Sequence, residues 1–369
     1  MQTECLNLND SHAKPTLEHA SVALVFGSGA AFAASTTFER CRQLYPKATI
    51  VGCSTAGEIQ GALVSDDHLL VTAMAFEHTR VQLARIPVTS PEGSRAAGLA
   101  AARALLSPDL VHVLVFCEGV AINGTALVAG LLDALPEHVA VTGGLAGDGE
   151  RMRETWVLAD GPPEKGVVAA VGFYGDRLRV GFGSMGGWDP FGPERLITRS
   201  TGNILYELDG QPAIALYRRY LGEHAAGMPT SGLRFPLALR QEGSDTSVVR
   251  TLLGMDEQAG GLVFAGDMPT GHFARLMRAN VDRLIDGAFL AASSIAQKVP
   301  ASAALLISCV GRRLVLRQRV EEEVESVREA LGQGVSVSGF YSYGELCPAG
   351  ESNCELHNQT MTVTTFAEL

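Results

Sequence analysis

The sequence predicts an α/β protein of layered, mixed β-sheets flanked by helices, and three observations carry that prediction. The first is an internal repeat: three segments share the order apolar strand, Gly, helix, then a second strand closing on a Gly followed by an acid. The second is that these strands are continuously apolar rather than alternating, which implies sheets covered on both faces. The third is composition. With 46% hydrophobic and 19% charged residues in a chain of 369, there is apolar material for buried cores in about two or three domains.

Taken in order, residues 1–18 read as a flexible N-terminal tail. VALVFGS (22–28) is the first buried strand. Thr36 and Glu39 have the spacing of a capping box before the apolar residues Phe38, Cys41 and Tyr45. IVGCSTAGE closes this unit at Gly57-Glu58, and LLVTAMAF (69–76) adds another β-rich run. The second unit starts at HVLVFCEG (112–119). Asn123 caps a helix whose apolar face is Val128, Leu131, Leu132 and Leu135, ended by Pro136. AVTGGLAGD closes it at Gly147-Asp148, and VVAAVGFY (167–174) comes after. A long insertion spans about 181–280 and includes a helix around 212–221 closed by Gly222. Asn280 then caps a helix with Val281, Leu284, Ile285, Ala288 and Ala292 facing inward. The third unit runs from ALLISCVG (304–311) to SVSGFYSYGE (336–345), closes at Gly344-Glu345, and is succeeded by TMTVTTF (360–366). Its helix carries Val320, Val324, Val327 and Leu331 on one face. Glu321, Glu322 and Glu323 lie in the first turn, where the helix dipole favours negative charge. A domain boundary is placed near Asp209-Gly210, which gives domains 19–208 and 209–369.

The net charge of −11 argues against nucleic acid or an anionic membrane surface as partner. No apolar run reaches the length of a membrane-spanning helix. The apolar stretch 21–34 comes after Glu4, Asp10 and Glu18, with only Lys14 basic, which argues against a secretory signal, and residues 21–28 read as a buried strand. Seven cysteines in a long chain without a signal are expected to be reduced, in the cytoplasm.

Several motifs resemble one family in combination. They are IVGCSTAGEI (50–59), GGLAGDG (143–149), GWDPFGPERLITRS with ELDGQPAIALYRRYLG, LLISCVGRR (305–313), SGFYSYGE (338–345) and ELHNQTMTVTTF (355–366). In these the chain resembles the FIST family over nearly its whole length. The resemblance implies a FIST-N domain and then a FIST-C domain. It also implies a sensory role beside histidine kinases or cyclic-di-GMP enzymes. One branch, the nitric-oxide-sensing NosP proteins, binds heme. With no kinase or GGDEF-like segment among these residues, the expected output partner is a separate protein, a sensor histidine kinase or a cyclic-di-GMP signalling enzyme. A homo-oligomer is also expected.

Five constellations are candidates for chemistry. The Gly-acid turns offer free backbone N–H groups and carboxylates at Glu58, Asp148 and Glu345, for a ligand amine or a partner cation. The alternative is that these acids cap nearby backbone, and for Asp148 that reading leads. Cys347, Cys354 and the nearby His357, with Cys309, have the donor types for zinc or a reversible disulfide; the alternative is loop thiols with no role. Cys53, Cys117 and Ser54 lie at strand ends near Gly, as nucleophiles do, but no His adjoins them and there is no GxSxG elbow. Trp188, Phe191, Phe340, Tyr341 and Tyr343 are candidates to wall an apolar pocket. Among nine histidines, His78, His224, His272 and His357 are open as heme ligands, with His272 and His357 put forward. There is no CxxCH, so heme would not be covalently attached. No phosphate loop or dinucleotide fingerprint is present.

The reading is a sensory, small-ligand-binding protein and not an enzyme, binding through Glu58, Trp188, Tyr341, Tyr343 and Glu345. Its sharper form is a heme-based nitric oxide sensor regulating a histidine kinase. The alternative is a zinc or thiol redox sensor through Cys309, Cys347 and Cys354, and less favoured still is a thiol or serine hydrolase.

Overall fold

A computed structural model describes the chain apart from residues 35, 229, 245, 257, 297 and 351 and the side chain of Thr230. The three repeats do share one topology. In the first, Val22–Gly27 runs parallel to Thr49–Ser54 and antiparallel to Leu69–Ala75. In the second, Leu110–Cys117 pairs in the same way with Ala140–Leu145 and Val167–Tyr174. In the third, Ala303–Cys309 pairs with Ser336–Ser342 and Met361–Glu368. The β-rich run after each Gly-acid turn is therefore the antiparallel neighbour of its unit's first strand.

Short strands at or just after the turns are also exchanged between units. Glu58–Gln60, from the first unit, pairs with the strand Ser336–Ser342 of the third. Gly344–Ala349, from the third, pairs with Ala140–Leu145 of the second. Val157–Ala159, from the second, pairs with Thr49–Ser54 of the first. The exchange closes a ring, so no unit completes its sheet alone.

The continuous apolar strands have the expected cause. Inner faces of all three sheets meet in one core, with Leu24 and Phe26, Leu114 and Phe116, Leu305, Ile307 and Phe340 among its members. Outer faces, such as Val113, Val115, Ala304 and Leu306, pack in the core that includes helix residues Leu127, Leu131, Val324 and Val327. Phe26 lies 5.6 Å from Phe116 and 4.7 Å from Phe340, so the three units contribute one aromatic ring each to the centre. Aromatic pairs of this kind contribute about 0.5–1.5 kcal/mol beyond burial.

The N-terminus departs from the expected tail. Gln2–Asn7 is a strand paired with Leu69–Ala75 along the edge of the first sheet, because the exposed backbone edge of that strand offers a full ladder of partners. At the boundary placed near Asp209-Gly210, strands from both sides share one sheet. Asp189–Thr201 pairs across it with Phe273–Arg278, and Ile204–Leu208 with Gln211–Pro212, within an antiparallel eight-stranded sheet. That sheet has its own core with the helix Ala213–Leu221. The start of the expected insertion differs too, since Leu178–Met185 extends the third unit's sheet beside Met361–Glu368. Asn123 caps its helix as expected, accepting from the Ala126 N–H at 3.0 Å. Thr36 makes no side-chain cap, so the capping box is not formed. Among the described residues, no helix is long and apolar enough to cross a membrane.

Candidate functional site

The exchanged strands bring the three Gly-acid turns together. The Gly147 N–H donates to the Ser54 carbonyl at 2.8 Å, that of Tyr341 to Gly57 at 2.8 Å, and that of Tyr343 to Leu145 at 3.3 Å. Two glycines are required by this contact. Gly57 has φ of +129°, and a Cβ there would lie 2.6 Å from the Arg313 guanidinium; a Cβ at Gly147 would lie 2.8 Å from the Ala56 nitrogen.

The three acids are buried and turned onto their own chain. Glu58 accepts from the Thr55 hydroxyl at 2.6 Å and from the His68 N–H at 3.1 Å. Glu345 repeats this arrangement, accepting from the Ser342 hydroxyl at 2.6 Å and from the Thr360 hydroxyl at 3.0 Å. Asp148 accepts the N–H groups of Met152, Arg153 and Glu154 at 2.8, 3.2 and 3.2 Å, and the Tyr343 hydroxyl donates to it. Burial pushes the Glu58 carboxyl up to about 7 and the Glu345 carboxyl up to about 8. These bonds hold the loops in place, and the carboxylates line neither of two large cavities found among the described residues.

The first cavity has a volume of about 620 Å³ and opens where the turns meet the short turn Thr230–Arg234 of the insertion. Ala56 and Asp66 come from the first unit, Gly149 and Glu150 from the second, and Val310, Arg313, Leu314, Val315 and Arg317 from the third; Leu233 and Arg234 come from the short turn Thr230–Arg234. Arg313 forms its floor. Its guanidinium meets Asp66 through two bonds of 2.7 and 2.8 Å and donates to the Ala56 carbonyl at 2.6 Å. This bidentate fork is the strong form of an Arg–carboxylate contact, and it holds the Asp66 carboxyl below its usual range. Arg234 and Arg317 are exposed, and neither side chain has a hydrogen-bond or ion-pair partner among the described residues. Arg317 is also held at φ of +55°, a conformation uncommon outside glycine that often marks functional positions.

The second cavity, of about 400 Å³, lies between residues 119–124 of the second unit and the inserted sheet. Ile122, Leu145, Met152, Phe264 and Tyr343 supply apolar wall. The loop 148–154, which Asp148 and Tyr343 hold, contributes Gly149 and Glu150 to the first cavity and Met152 to the second.

Of the ligand-binding residues expected from sequence, Tyr343 alone reaches either cavity. Trp188 is buried and its Nε1–H donates to the Gln359 carbonyl at 2.8 Å. Tyr341 is fully buried, with its hydroxyl bonded to Glu323 at 2.9 Å. The zinc set is not assembled. All seven cysteines are free, and among the described residues no three His, Cys, Asp or Glu side chains are placed to hold a metal ion. Cys347 and Cys354 are buried on adjacent strands of one hairpin, with Cys347 opposite Glu355. Burial pushes the Cys347 thiol up to about 12, away from the thiolate form that binds metal or attacks disulfides. Cys309 lies instead near Glu345, whose charge adds to burial in raising its thiol. Cys53, Cys117 and Ser54 are buried core residues, and Ser54 Oγ accepts from the Trp156 N–H at 2.9 Å.

Among the described residues, neither of these two cavities presents an axial ligand for heme. An axial imidazole must present a free nitrogen to a pocket that holds the macrocycle, and no histidine lines either large cavity. The His357 ring is buried, and its Nε2–H donates to the Cys347 carbonyl at 3.0 Å. Burial pushes its pKa down to about 4. His272 sits partly buried in a turn of the inserted sheet, where its N–H donates to the Pro269 carbonyl.

The arginines of the first cavity are the residues that sequence reading missed. The signal available was Arg312-Arg313 after the third unit's apolar strand. One of the pair is wholly buried against Glu323, while the other reaches the cavity.

Comparison with known proteins matches residues 21–211 to the FIST N domain and residues 213–348 to the FIST C domain. No curated protein matches the chain. Among solved structures, a cyanuric acid hydrolase from A. caulinodans is similar at a TM-score of 0.36 and 12% identity, over 96% of this chain and 91% of that one. At that level the likeness carries no argument about activity.

Proposed function

The chain belongs to the FIST family, whose domains are small-ligand-binding sensory domains of signalling proteins, and from that premise we propose that it senses a small organic anion bound in the first cavity. The observation that supports this is a pair of arginines, Arg234 and Arg317, whose side chains have no partner among the described residues, on the wall of a cavity of about 620 Å³. A volume of this size is in the range of small-molecule sites. Guanidinium groups recognise carboxylates and phosphates through forked hydrogen bonds. A ligand there touches all three units and the inserted turn Thr230–Arg234 at once, so its binding favours one relative arrangement of these parts. We read the output as a separate cytoplasmic signalling protein, a sensor histidine kinase or a cyclic-di-GMP enzyme, and the chain as a binding protein, not an enzyme.

The test is calorimetric titration with succinate and with inorganic phosphate, on the wild type and on the Arg234→Ala/Arg317→Ala double variant. Saturable binding of either anion by the wild type, weakened about a hundredfold or more in the double variant, supports the reading. Equal binding by both proteins, or none by the wild type, overturns it. A hemin titration in parallel gives a stoichiometric Soret band if the gas-sensing form holds.

A further inference from the structure

We propose that the second cavity is a ligand site of its own, for a small uncharged molecule with an apolar body and a hydrogen-bond donor. It uses none of the arginines that support the anion site, so the two proposals stand or fall separately.

Composition of the wall sets the class of ligand. Around about 400 Å³, the lining side chains are aliphatic, aromatic, sulfur-bearing or amide, and none carries a full charge. A charged molecule entering it loses hydration with no opposite charge to replace it, which is strongly unfavourable. An apolar body gains by covering Ile122, Met152 and Phe264. The mouth is apolar as well: Val120 is 47% and Leu253 37% exposed, large hydrophobic residues facing solvent at its rim.

The polar groups then select the ligand's polarity. Asn123 is used at both ends. Its side-chain oxygen caps Ala126 at 3.0 Å, and its Nδ2 donates to Asp267 at 3.1 Å. The Tyr343 hydroxyl is committed to Asp148 and the loop after it. Asn203 differs. Its Nδ2 donates to the Phe264 carbonyl at 2.8 Å, which fixes the amide plane. Its Oδ1 has no partner among the described residues. A fixed acceptor beside an apolar, uncharged wall suits an N–H or O–H donor on a ring or short aliphatic body, as in an indole, a phenol or a primary alcohol.

The probe is 5-fluoroindole, observed by fluorine NMR on the whole chain. Saturable binding is expected. Ala121→Trp, at an exposed position on the rim, fills the entrance and is expected to weaken binding about tenfold or more. Leu253→Asp, also exposed at the rim, introduces a charge and is expected to act in the same direction. N-methyl-5-fluoroindole, which lacks the donor, is expected to bind about tenfold less tightly. The Arg234→Ala/Arg317→Ala variant is expected to bind 5-fluoroindole like the wild type. Thermal melts of the rim variants confirm that they fold. Absence of saturable binding, or binding unchanged in both folded rim variants, overturns the site. Equal binding of the N-methyl probe overturns the role given to Asn203.

Discussion

The two cavities lie on either side of one loop, 148–154, yet differ in nearly every chemical respect. The first is built where the three repeats and the inserted turn Thr230–Arg234 converge, and it carries Asp66, Glu150, Arg234, Arg313 and Arg317. The second lies between the second unit, Tyr343 of the third and the inserted sheet, and among the described residues its wall holds no charged side chain. The contrast comes from where the turns end. On one side, the helix after the third unit's first strand ends in Arg313 and Arg317, beside the Gly57 turn and the exposed Asp66. On the other, the acid just before residues 119–124 turns away from the space: Glu118 accepts the N–H groups of Val120 and Ala121, leaving aliphatic groups and amides to line it. One fold thus offers a cavity with charged side chains in its wall and, a few residues away, one without them among the described residues.

The largest difference between the cavities is expected from Arg313→Ala. It removes a cation from the floor of the first and leaves Asp66 as an uncompensated anion beside any bound anion. Succinate or phosphate binding is expected to fall about a hundredfold, with 5-fluoroindole binding unchanged. Calorimetry of both probes on one preparation decides it, and parallel losses would mean that the cavities are not distinct.

A smaller effect is expected from Tyr343→Phe. The change deletes the hydroxyl that donates to Asp148 and accepts from the Asp148 and Met152 N–H groups, each at 3.1 Å. Leaving a buried carboxylate one donor short costs about 1–3 kcal/mol, seen as a lower melting temperature. Because the loop borders both spaces, both ligands should weaken by several-fold. An effect confined to one probe would show that the loop does not join them.

The smallest effect is the pH dependence. Burial raises the folded-state pKa of Glu58 from 4.5 to about 7, and Arg313 and Asp66 are among the charges acting on it. A carboxyl whose folded pKa is raised stabilises the protein fully below about 4.5. That contribution is lost as pH rises through about 7, since the folded state holds a proton that the unfolded chain has released. Ionisation also adds negative charge near the anion site. Succinate affinity is therefore expected to fall several-fold between pH 6 and 8, while 5-fluoroindole affinity stays level. Glu58→Gln should flatten the succinate profile. A slope that persists in the variant would assign the titration to another group.

The repeats could be read from the chain because burial leaves a local trace. Strands such as 22–27 and 305–309 are apolar on nearly every residue because one face meets the shared core and the other meets helices, those of the first unit for 22–27. The Gly-acid turns were legible for a similar reason: Gly57 must take a backbone conformation that side chains resist, and Glu58 bonds a hydroxyl three residues before it. The family motifs added the order of the two domains. Site residues were less legible. Tyr343 reaches a cavity, but Trp188, Tyr341 and His357, equally plausible by type and neighbourhood, are each committed to a partner inside the core.

The local units are set by the chain's own order of residues, because periodicity, caps and tight turns depend on neighbours a few residues away. Which unit's strand completes which sheet, and so where Arg234, Arg313 and Arg317 meet, is set by tertiary contacts. That choice depends on matching backbone edges and packing faces between segments far apart in the chain, and it leaves no periodic mark on any one of them. Whether an arginine ends in a buried pair, as Arg312 does with Glu323, or on a cavity wall, as its neighbour Arg313 does, is settled only when the ring of exchanged strands closes.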